Sequence, residues 1–291
     1  MGQGRERGRR QGRLVSTPGR PKCEYRSAQH EGTPVNGAGL AQALVAARRQ
    51  NLQLAAGDWA QALHSAADAY AVQDEVAAAL GWFGGAPPTH WKSGGPSRDA
   101  PLTHAPLPPA GVRGSPASLR DWPLHTRAIE AEIALRLAAS VSPAQAASLH
   151  SDDRAERIDA LVDAMSVSIE VVDSRWREGA QAAAWLRLAD LQSHGALVLG
   201  GWVPYARRDW SAQRCDALIG AQPAVHRIGT HSLGDPAWVL PQWLRHATRH
   251  GASVPAGTVV TTGTWVGLLR ALAGDEVRVD FNGIGTATLR L

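Results

Sequence analysis

The segment Ile129-Glu130-Ala131-Glu132-Ile133-Ala134 places two carboxylates two positions apart in an otherwise apolar run. Side chains at positions i and i+2 of a strand share a face, so a strand here would bring Glu130 and Glu132 together. Two unpaired carboxylates repel each other or take up a proton, whereas a hard divalent cation binds oxygen ligands from both. The same residues also suit an amphipathic helix, because alanine, leucine and glutamate favour helices.

A third carboxylate lies in another segment that is typical of a buried strand. Glu170 is in the middle of the β-branched run Ser166-Val167-Ser168-Ile169-Glu170-Val171-Val172-Asp173-Ser174-Arg175. Burial of an ionised carboxylate is costly unless the group is paired or bound to a metal. Arg136 or Arg175 is one candidate partner, and a cation shared with Glu130 and Glu132 is the other.

Length, composition and cysteine content limit the size and kind of protein that the chain can form. The chain has 291 residues, 44% of them hydrophobic, which is enough for a sizeable core in one large domain with a helical appendage. No apolar run reaches the roughly 18 residues that span a bilayer. The two cysteines, Cys23 and Cys215, give neither a disulfide framework nor a metal-ligand cluster. Since no secretory signal is recognisable either, we expect a cytoplasmic protein.

The net charge of +4 is concentrated in the first residues. Residues 1–22 carry a single acid, Glu6, and seven basic side chains, namely Arg5, Arg7, Arg9, Arg10, Arg13, Arg20 and Lys22. A basic, glycine-rich segment without apolar periodicity predicts a disordered tail over residues 1–36. Nucleic-acid contact, organelle targeting or an over-extended reading frame are alternative explanations, and the rest of the chain shows no basic motif that supports nucleic-acid binding.

Hydrophobic periodicity predicts an α+β fold. We expect helices at about 38–50 and 58–80, the second capped by Asp58 and ended by Gly81, and further helices at about 153–164 and 236–251. Strands are expected at about 89–93, 129–137, 166–173, 196–202, 258–263, 276–281 and 285–290. The predicted organisation is a helical N-terminal subdomain over 37–88 and a metal-binding catalytic domain over 89–291.

Five motifs in order resemble the fumarylacetoacetate hydrolase-like superfamily, and more narrowly its 2-keto-4-pentenoate hydratase and 4-oxalocrotonate decarboxylase branch. They are Ala69-Tyr70-Ala71-Val72-Gln73, His90-Trp91-Lys92-Ser93-Gly94, residues 129–134, Ile169–Arg175 and Thr262-Gly263-Thr264. The resemblance implies a β-rich roll or barrel with peripheral helices, and at least a dimer. It also implies a Mg²⁺ or Mn²⁺ site at Glu130, Glu132 and Glu170 that binds a 2-oxo acid substrate. An all-carboxylate ligand set independently favours these hard cations.

The positions of the lysines help to distinguish the hydratase branch of the superfamily from its hydrolase branches. Lys22 and Lys92 are the two lysines of the chain, so Lys92 calls for a chemical explanation beyond surface charge. A desolvated lysine can shuttle protons, which arginine cannot, although an exposed loop charge is the alternative. Hydratases of this branch resemble the chain in having a lysine before the paired glutamates. In the hydrolase branches the lysine follows the third acid, and no lysine follows Glu170 here, which argues against a fumarylacetoacetate or acylpyruvate hydrolase.

Other positions depart from the family pattern or have two interpretations. The acid that relays protons in related hydratases lacks a matching motif, and Asp99 or His104 could replace it. The resemblance assigns Asp190 to substrate binding, within a segment that has lost a neighbouring asparagine. By the same resemblance Thr264 binds the substrate carboxylate, unless it only forms a turn. Arg175 binds a second carboxylate or supports Glu170.

The resulting prediction is a divalent-metal-dependent hydratase of a 2-hydroxy-dienoate or 2-oxo-enoate, of the kind formed in aromatic ring cleavage. Lys92 would move protons, and Glu130, Glu132 and Glu170 would hold the metal. A 2-oxo acid decarboxylase of the same branch and a catalytically degenerate scaffold are the alternatives.

Overall fold

A computed structural model describes Met1 and residues 36–150 and 155–291. The helices are α1 (Gly37–Gln50), α2 (Ala66–Ala79), α3 (Pro143–Ala147), α4 (Ala155–Asp159), α5 (Ala184–Ala189) and α6 (Leu240–Ala247). The strands are β1 (His90–Gly94), β2 (Thr103–Pro106), β3 (Val112–Gly114), β4 (Ala117–Ser118), β5 (Ala128–Leu137), β6 (Val162–Val172), β7 (His194–Pro204), β8 (Arg214–Ile219), β9 (Val225–Ile228), β10 (Val259–Thr261), β11 (Leu269–Arg270), β12 (Glu276–Phe281) and β13 (Gly285–Arg290).

Two sheets form the body of the fold. The larger has eight strands in the order β2-β1-β10-β5-β6-β7-β3, with β11 paired to one end of β5. The smaller has the order β4-β13-β12-β8-β9. The long antiparallel strands β5 and β6 lie at the centre of the larger sheet, which places the paired glutamates there. This mixed, β-rich architecture confirms the predicted α+β fold class.

One hydrophobic core joins the two sheets. Val167 and Ile169 of β6 belong to the same buried cluster as Val279 of β12 and Leu289 of β13. These side chains follow the period-2 alternation of their strands, so each strand buries one face in this core. Glu170 and Ser168 alternate with them and therefore lie on the opposite face of β6.

A second core forms between the helices. Leu40 and Leu44 of α1 pack with Val72 and Val76 of α2, and Leu186 of α5 belongs to the same cluster. These leucines and valines recur at helical spacing, so each helix has one apolar face for this cluster. The core fixes α5, which lies beside the candidate site.

The start of α2 differs from the prediction. Asp58 lies in a short 3₁₀ turn, Ala56–Trp59, and the α-helix begins after Ser65, whose hydroxyl accepts a hydrogen bond from the backbone N–H of Asp68. Asp58 as the helix cap was therefore wrong, because the chain turns again between Ala60 and Ser65 before the helix starts. Gly81 has φ +64°, which fits its predicted place after the helix.

The predicted helices at 153–164 and 236–251 are shorter in the structure. The first is α4, which ends at Asp159 before Val162 begins β6. Strand pairing with both β5 and β7 overrides the helical propensity of this segment. The second is a 3₁₀ turn, Pro236–Val239, followed by α6. The seven predicted strands are all present, with shifted ends in most cases.

The predicted tail at residues 1–36 lies outside the described residues except for its two ends. The division at residue 88 into a helical subdomain and a catalytic domain stays a prediction. None of the described helices is both long and apolar enough to cross a membrane.

Candidate metal and catalytic centre

Strand register brings the three predicted carboxylates together. Glu130 of β5 lies directly opposite Glu170 of β6, and Glu132 lies opposite Ser168. One carboxylate oxygen from each of Glu130, Glu132 and Glu170 lies within 4.8 Å of the others. The helix alternative for residues 129–134 was wrong, since the segment is a central strand. Like charges directly opposite in a sheet are destabilising, so this arrangement needs a positive charge.

Burial makes the repulsion stronger. Glu132 and Glu170 are 2% and 0% exposed, and Glu130 is half-buried. Desolvation and the charge of Glu170 raise the pKa of Glu130 to about 7. Desolvation, together with the charges of Glu170 and Glu130, raises the pKa of Glu132 to about 8. Both pKa values therefore lie close to neutral pH, and a divalent cation that binds these carboxylates would displace their protons.

Lys92 supplies the cationic partner of Glu170. Its Nζ donates to Glu170 Oε1 at 2.6 Å, and His194 Nδ1 lies 3.1 Å from the same oxygen. Burial raises the pKa of Glu170, but the charge of Lys92 and the hydrogen bond with His194 outweigh it and bring the pKa below its ordinary value. Burial likewise lowers the pKa of Lys92, and the charges of Glu170, Glu130 and Glu132 reverse this and raise it.

Neither arginine considered from the sequence pairs with Glu170. Arg136 forms a bidentate ion pair with Asp163 at the surface, at 2.9 and 2.8 Å, and Arg175 binds Asp173 and Asp190. Lys92 lies in β1 and is only 9% exposed, so an exposed loop charge was the wrong alternative. The order β1-β10-β5-β6 places Lys92 two strands from Glu132 and three from Glu170.

The donor set fits a hard divalent cation. Glu170 Oε2 is buried without a hydrogen-bond partner among the described residues, although its other oxygen has two. The hydroxyl of Thr261 donates to Glu132 and is itself 2.8 Å from the hydroxyl of Ser168, which orients that carboxylate. An all-oxygen set with one orphaned buried oxygen suits Mg²⁺ or Mn²⁺.

A cavity of about 660 Å³ opens onto this cluster. Its lining includes Lys92, Glu130, Glu132, Arg187, Gln192 and Thr264. Gln192 makes two hydrogen bonds here: its carbonyl accepts from Lys92 Nζ at 3.3 Å, and its side-chain amide donates to Thr103. The cavity is large enough for a small organic acid beside the carboxylates.

Thr264 lies at the edge of this cavity and also shapes a turn. Its hydroxyl donates to the carbonyl of Gly267 at 3.1 Å and accepts from the N–H of Val266 at 3.3 Å. Gly263 before it has φ +105°, a conformation that favours glycine. Both interpretations of the motif are compatible with this position.

Arg175 and Asp190 lie in a buried ion-pair network behind the cavity and do not line it. Asp190 is 0% exposed, and its Oδ1 accepts from Arg48 and Arg175, each at 2.7 Å. Arg175 also donates to the carbonyl of His194 at 2.7 Å. The network thus reaches Glu170 through His194. The supporting role considered for Arg175 stays a prediction.

Asp99 and His104 are not among the residues that line the cavity. Asp99 is exposed, whereas His104 is buried with its Nδ1 2.8 Å from the hydroxyl of Ser93. Burial lowers the pKa of His104 to about 3, so this imidazole is neutral. Its ring packs against those of His246 and Tyr70 at centroid distances of 4.8 and 6.5 Å.

Sequence reasoning missed His194, Thr261 and Arg187. Arg187 lies just before the segment that contains Asp190, and His194 lies within it, so interest in that segment could have extended to them. Thr261 directly precedes the Thr262-Gly263-Thr264 motif on a predicted strand, and a hydroxyl at the end of a buried strand was the available signal.

Comparisons with known proteins agree with the fold. The chain resembles 4-oxalocrotonate decarboxylase from Pseudomonas putida G7 complexed with magnesium and adipate, with a TM-score of 0.72 and 21% identity over 87% of this chain and 96% of that one. The same enzyme complexed with calcium and acetate gives a TM-score of 0.69 and 20% identity over the same shares. No curated protein sequence matches significantly. Residues 83–291 match the family described as fumarylacetoacetate (FAA) hydrolase C-terminal. The chain therefore belongs to the fumarylacetoacetate hydrolase family.

Proposed function

We propose that this protein is a divalent-metal-dependent lyase that acts on a 2-oxo acid through its enolate. The observation that carries the proposal is the convergence of three carboxylates and one buried lysine beside a cavity that Lys92, Glu130 and Glu132 line. In a cluster with only a structural role, carboxylates whose pKa values rise to about 7 and 8 by mutual repulsion and burial would be unfavourable, whereas such groups are typical of functional sites.

Glu130, Glu132 and Glu170 would hold Mg²⁺ or Mn²⁺. When bound, the ion would supply Lewis acidity that stabilises the negative charge on the keto oxygen of the substrate. Thr261 orients Glu132 by a hydrogen bond, and Lys92 and His194 hold Oε1 of Glu170, so that Oε2 remains for the ion.

Lys92 is the proton-transfer group of the proposal. Lys92 lines the cavity, and hydrogen bonds from its Nζ to Glu170 and to the carbonyl of Gln192 fix its position. In the hydratase reaction Lys92 would move protons during enol-to-keto isomerisation and water addition to a 2-hydroxy-dienoate. The substrate would be a product of aromatic ring cleavage.

Decarboxylation of a 2-oxo acid by the same site is the second candidate. A hydratase needs a group that activates water, and neither Asp99 nor His104 lines the cavity. In 4-oxalocrotonate the distal carboxylate is that of a vinylogous 3-oxo acid. Its loss as CO₂ breaks the C5–C6 bond and leaves the electron pair in a dienolate of the 2-oxo group without that requirement, and Lys92 would then donate a proton to this dienolate. The fold likeness to a 4-oxalocrotonate decarboxylase supports this candidate. For either reaction we expect a homo-oligomer.

The test is a pair of assays on the purified protein with and without Mg²⁺. Consumption of 2-hydroxypenta-2,4-dienoate without CO₂ supports the hydratase, and CO₂ release from 4-oxalocrotonate supports the decarboxylase. Glu132→Gln should abolish the activity observed, whereas Glu75→Gln, at an exposed position on α2, should retain it. Absence of Mg²⁺-dependent turnover of both compounds would favour a degenerate scaffold.

A further inference from the structure

A second cavity shares no lining residue with the cavity at the metal centre. It has a volume of about 210 Å³, and its lining includes Arg48, Arg49, Trp82, Trp122 and His194. Among the described residues that line it there is no aspartate or glutamate. The charge of this second cavity is therefore that of its arginines, and its volume suits a ligand with one ring.

Both arginines have free hydrogen-bond donors. Arg48 uses only Nη2, which donates to Asp190 Oδ1 at 2.7 Å, and Arg49 uses only Nη2, which donates to the carbonyl of Ala79 at 3.0 Å. No other acceptor for either guanidinium occurs within residues 36–150 and 155–291. Burial and repulsion by Arg175, which shares Asp190, lower the pKa of Arg48 to about 10 despite its ion pair. An anion in the second cavity would thus meet two guanidinium groups with unused donors.

Two tryptophans provide flat apolar surface in the same cavity. Trp82 and Trp122 are both half-buried at the edges of the two main cores. The guanidinium of Arg48 lies 5.2 Å from the centroid of the Trp82 ring, and Trp122 Nε1 donates to the carbonyl of Gly195 at 3.1 Å. Indole rings pack well against other aromatic rings. The second cavity therefore combines aromatic surface with positive charge.

His194 joins the second cavity to the metal centre. It lines this cavity, and its Nδ1 lies 3.1 Å from Glu170 Oε1. Its other ring nitrogen, Nε2, is buried and has no hydrogen-bond partner among the described residues. Such an atom is rare, because a buried polar atom without a partner is costly. A ligand hydroxyl is a suitable partner, since a hydroxyl can both donate and accept.

We propose that the second cavity binds a small aromatic carboxylate that carries a hydroxyl group, and that this ligand strengthens divalent-metal binding through His194. The carboxylate would bind Arg48 and Arg49, and the ring would pack against Trp82 and Trp122. The hydroxyl would bind Nε2 of His194. An imidazole held at both nitrogens keeps Glu170 Oε1 in place and leaves Oε2 for the ion. The ligand is an effector and not the substrate, so the inference goes beyond the proposed reaction.

The test uses 4-hydroxybenzoate and two probes that each lack one feature. Benzoate lacks the hydroxyl, and 4-hydroxybenzamide lacks the charge. Calorimetry on the full-length protein, first with a chelator and then with excess Mg²⁺, measures their affinities. Benzoate should bind about threefold or more weakly than 4-hydroxybenzoate, and 4-hydroxybenzamide about tenfold or more weakly. Mg²⁺ should raise the affinity for 4-hydroxybenzoate about fivefold or more, because the coupling between two sites is reciprocal.

Variants locate the binding site. Arg49→Met and Trp82→Leu should each weaken 4-hydroxybenzoate binding about threefold or more, since one removes a charged donor and the other removes aromatic surface. Arg177→Met, at an exposed arginine outside both cavities, is the matched control and should behave as the wild type. An unchanged unfolding temperature of Arg49→Met shows that this variant is folded.

The outcomes separate this inference from the proposed function. Absence of 4-hydroxybenzoate binding in the chelator, or unchanged binding by both cavity variants, would overturn the second site. Equal affinities with and without Mg²⁺, in a protein that binds Mg²⁺, would overturn the coupling through His194. Failure of the protein to bind Mg²⁺ would overturn the proposed function, whereas 4-hydroxybenzoate binding in the chelator would still support the second site.

Discussion

Glu132→Gln should have opposite effects on stability with and without metal. In the metal-free protein, desolvation and the charges of Glu170 and Glu130 raise the pKa of Glu132 from 4.5 to about 8. The folded state therefore keeps a proton that the unfolded chain releases. The stability that this proton contributes is fully present below about pH 4.5 and is lost as the pH rises through about 8.

The size of the effect follows from the shift. One pKa unit corresponds to about 1.4 kcal/mol, so a shift of this size corresponds to about 5 kcal/mol, shared with Glu130 and Glu170 because the three groups interact. A glutamine cannot ionise, and its side-chain oxygen can still accept the hydrogen bond from Thr261. Metal-free Glu132→Gln should consequently be more stable than the wild type at about pH 8.5, by about 1–4 kcal/mol, with little difference at about pH 5.

Urea unfolding at both pH values, with a chelator and then with excess Mg²⁺, measures these differences. Mg²⁺ should stabilise the wild type and not the variant, so that the order of the two stabilities reverses at the higher pH. Glu75→Gln should follow the wild type throughout. Lower stability of chelator-treated Glu132→Gln than of the wild type at the higher pH, or equal stabilisation of both proteins by Mg²⁺, would refute the destabilising repulsion at Glu132.

Three further predictions concern the same centre. Mg²⁺ affinity should increase as the pH rises through about 7 and 8, because Glu130 and Glu132 must release protons to bind the ion. Calorimetry in buffers of different ionisation enthalpy should detect that proton release. Lys92→Met should abolish turnover and destabilise the metal-free protein by about 3–5 kcal/mol, since Glu170 loses its buried partner. Lys92→Arg should restore much of the stability but not the turnover, and turnover by Lys92→Arg equal to that of the wild type would contradict the proton-transfer role. His194→Ala should weaken Mg²⁺ binding about tenfold or more, as measured by calorimetry, because Glu170 loses an orienting hydrogen bond. An unchanged Mg²⁺ affinity would show that Lys92 alone orients the Glu170 carboxylate.

The sequence predicts the strands of the site better than it predicts which residues of other strands and helices lie beside them. Alternation alone places Glu130 and Glu132 on one face of a strand, and the structure has that strand. The pairing of Lys92 with Glu170 depends on the order of β1, β10, β5 and β6, which no local pattern encodes. Arg187 was missed for a related reason. Its helix α5 has only six residues, too few for a recognisable period, and packing against α2 decides where it lies.

Asp190 and Arg175 show how residues that do not line the cavity can still fix the geometry of the site. The resemblance associates both with substrate, but the structure places them in a chain of contacts that runs from Arg48 through Asp190 and Arg175 to His194 and then to Glu170. Each link is a hydrogen bond or an ion pair, and the acid at its centre is fully buried. A buried ion pair contributes little net stability compared with apolar packing, so the value of this network lies in fixing geometry. It holds α1 and the loop that follows β6 in one arrangement, and through His194 it fixes the oxygen of Glu170 that does not face the proposed metal.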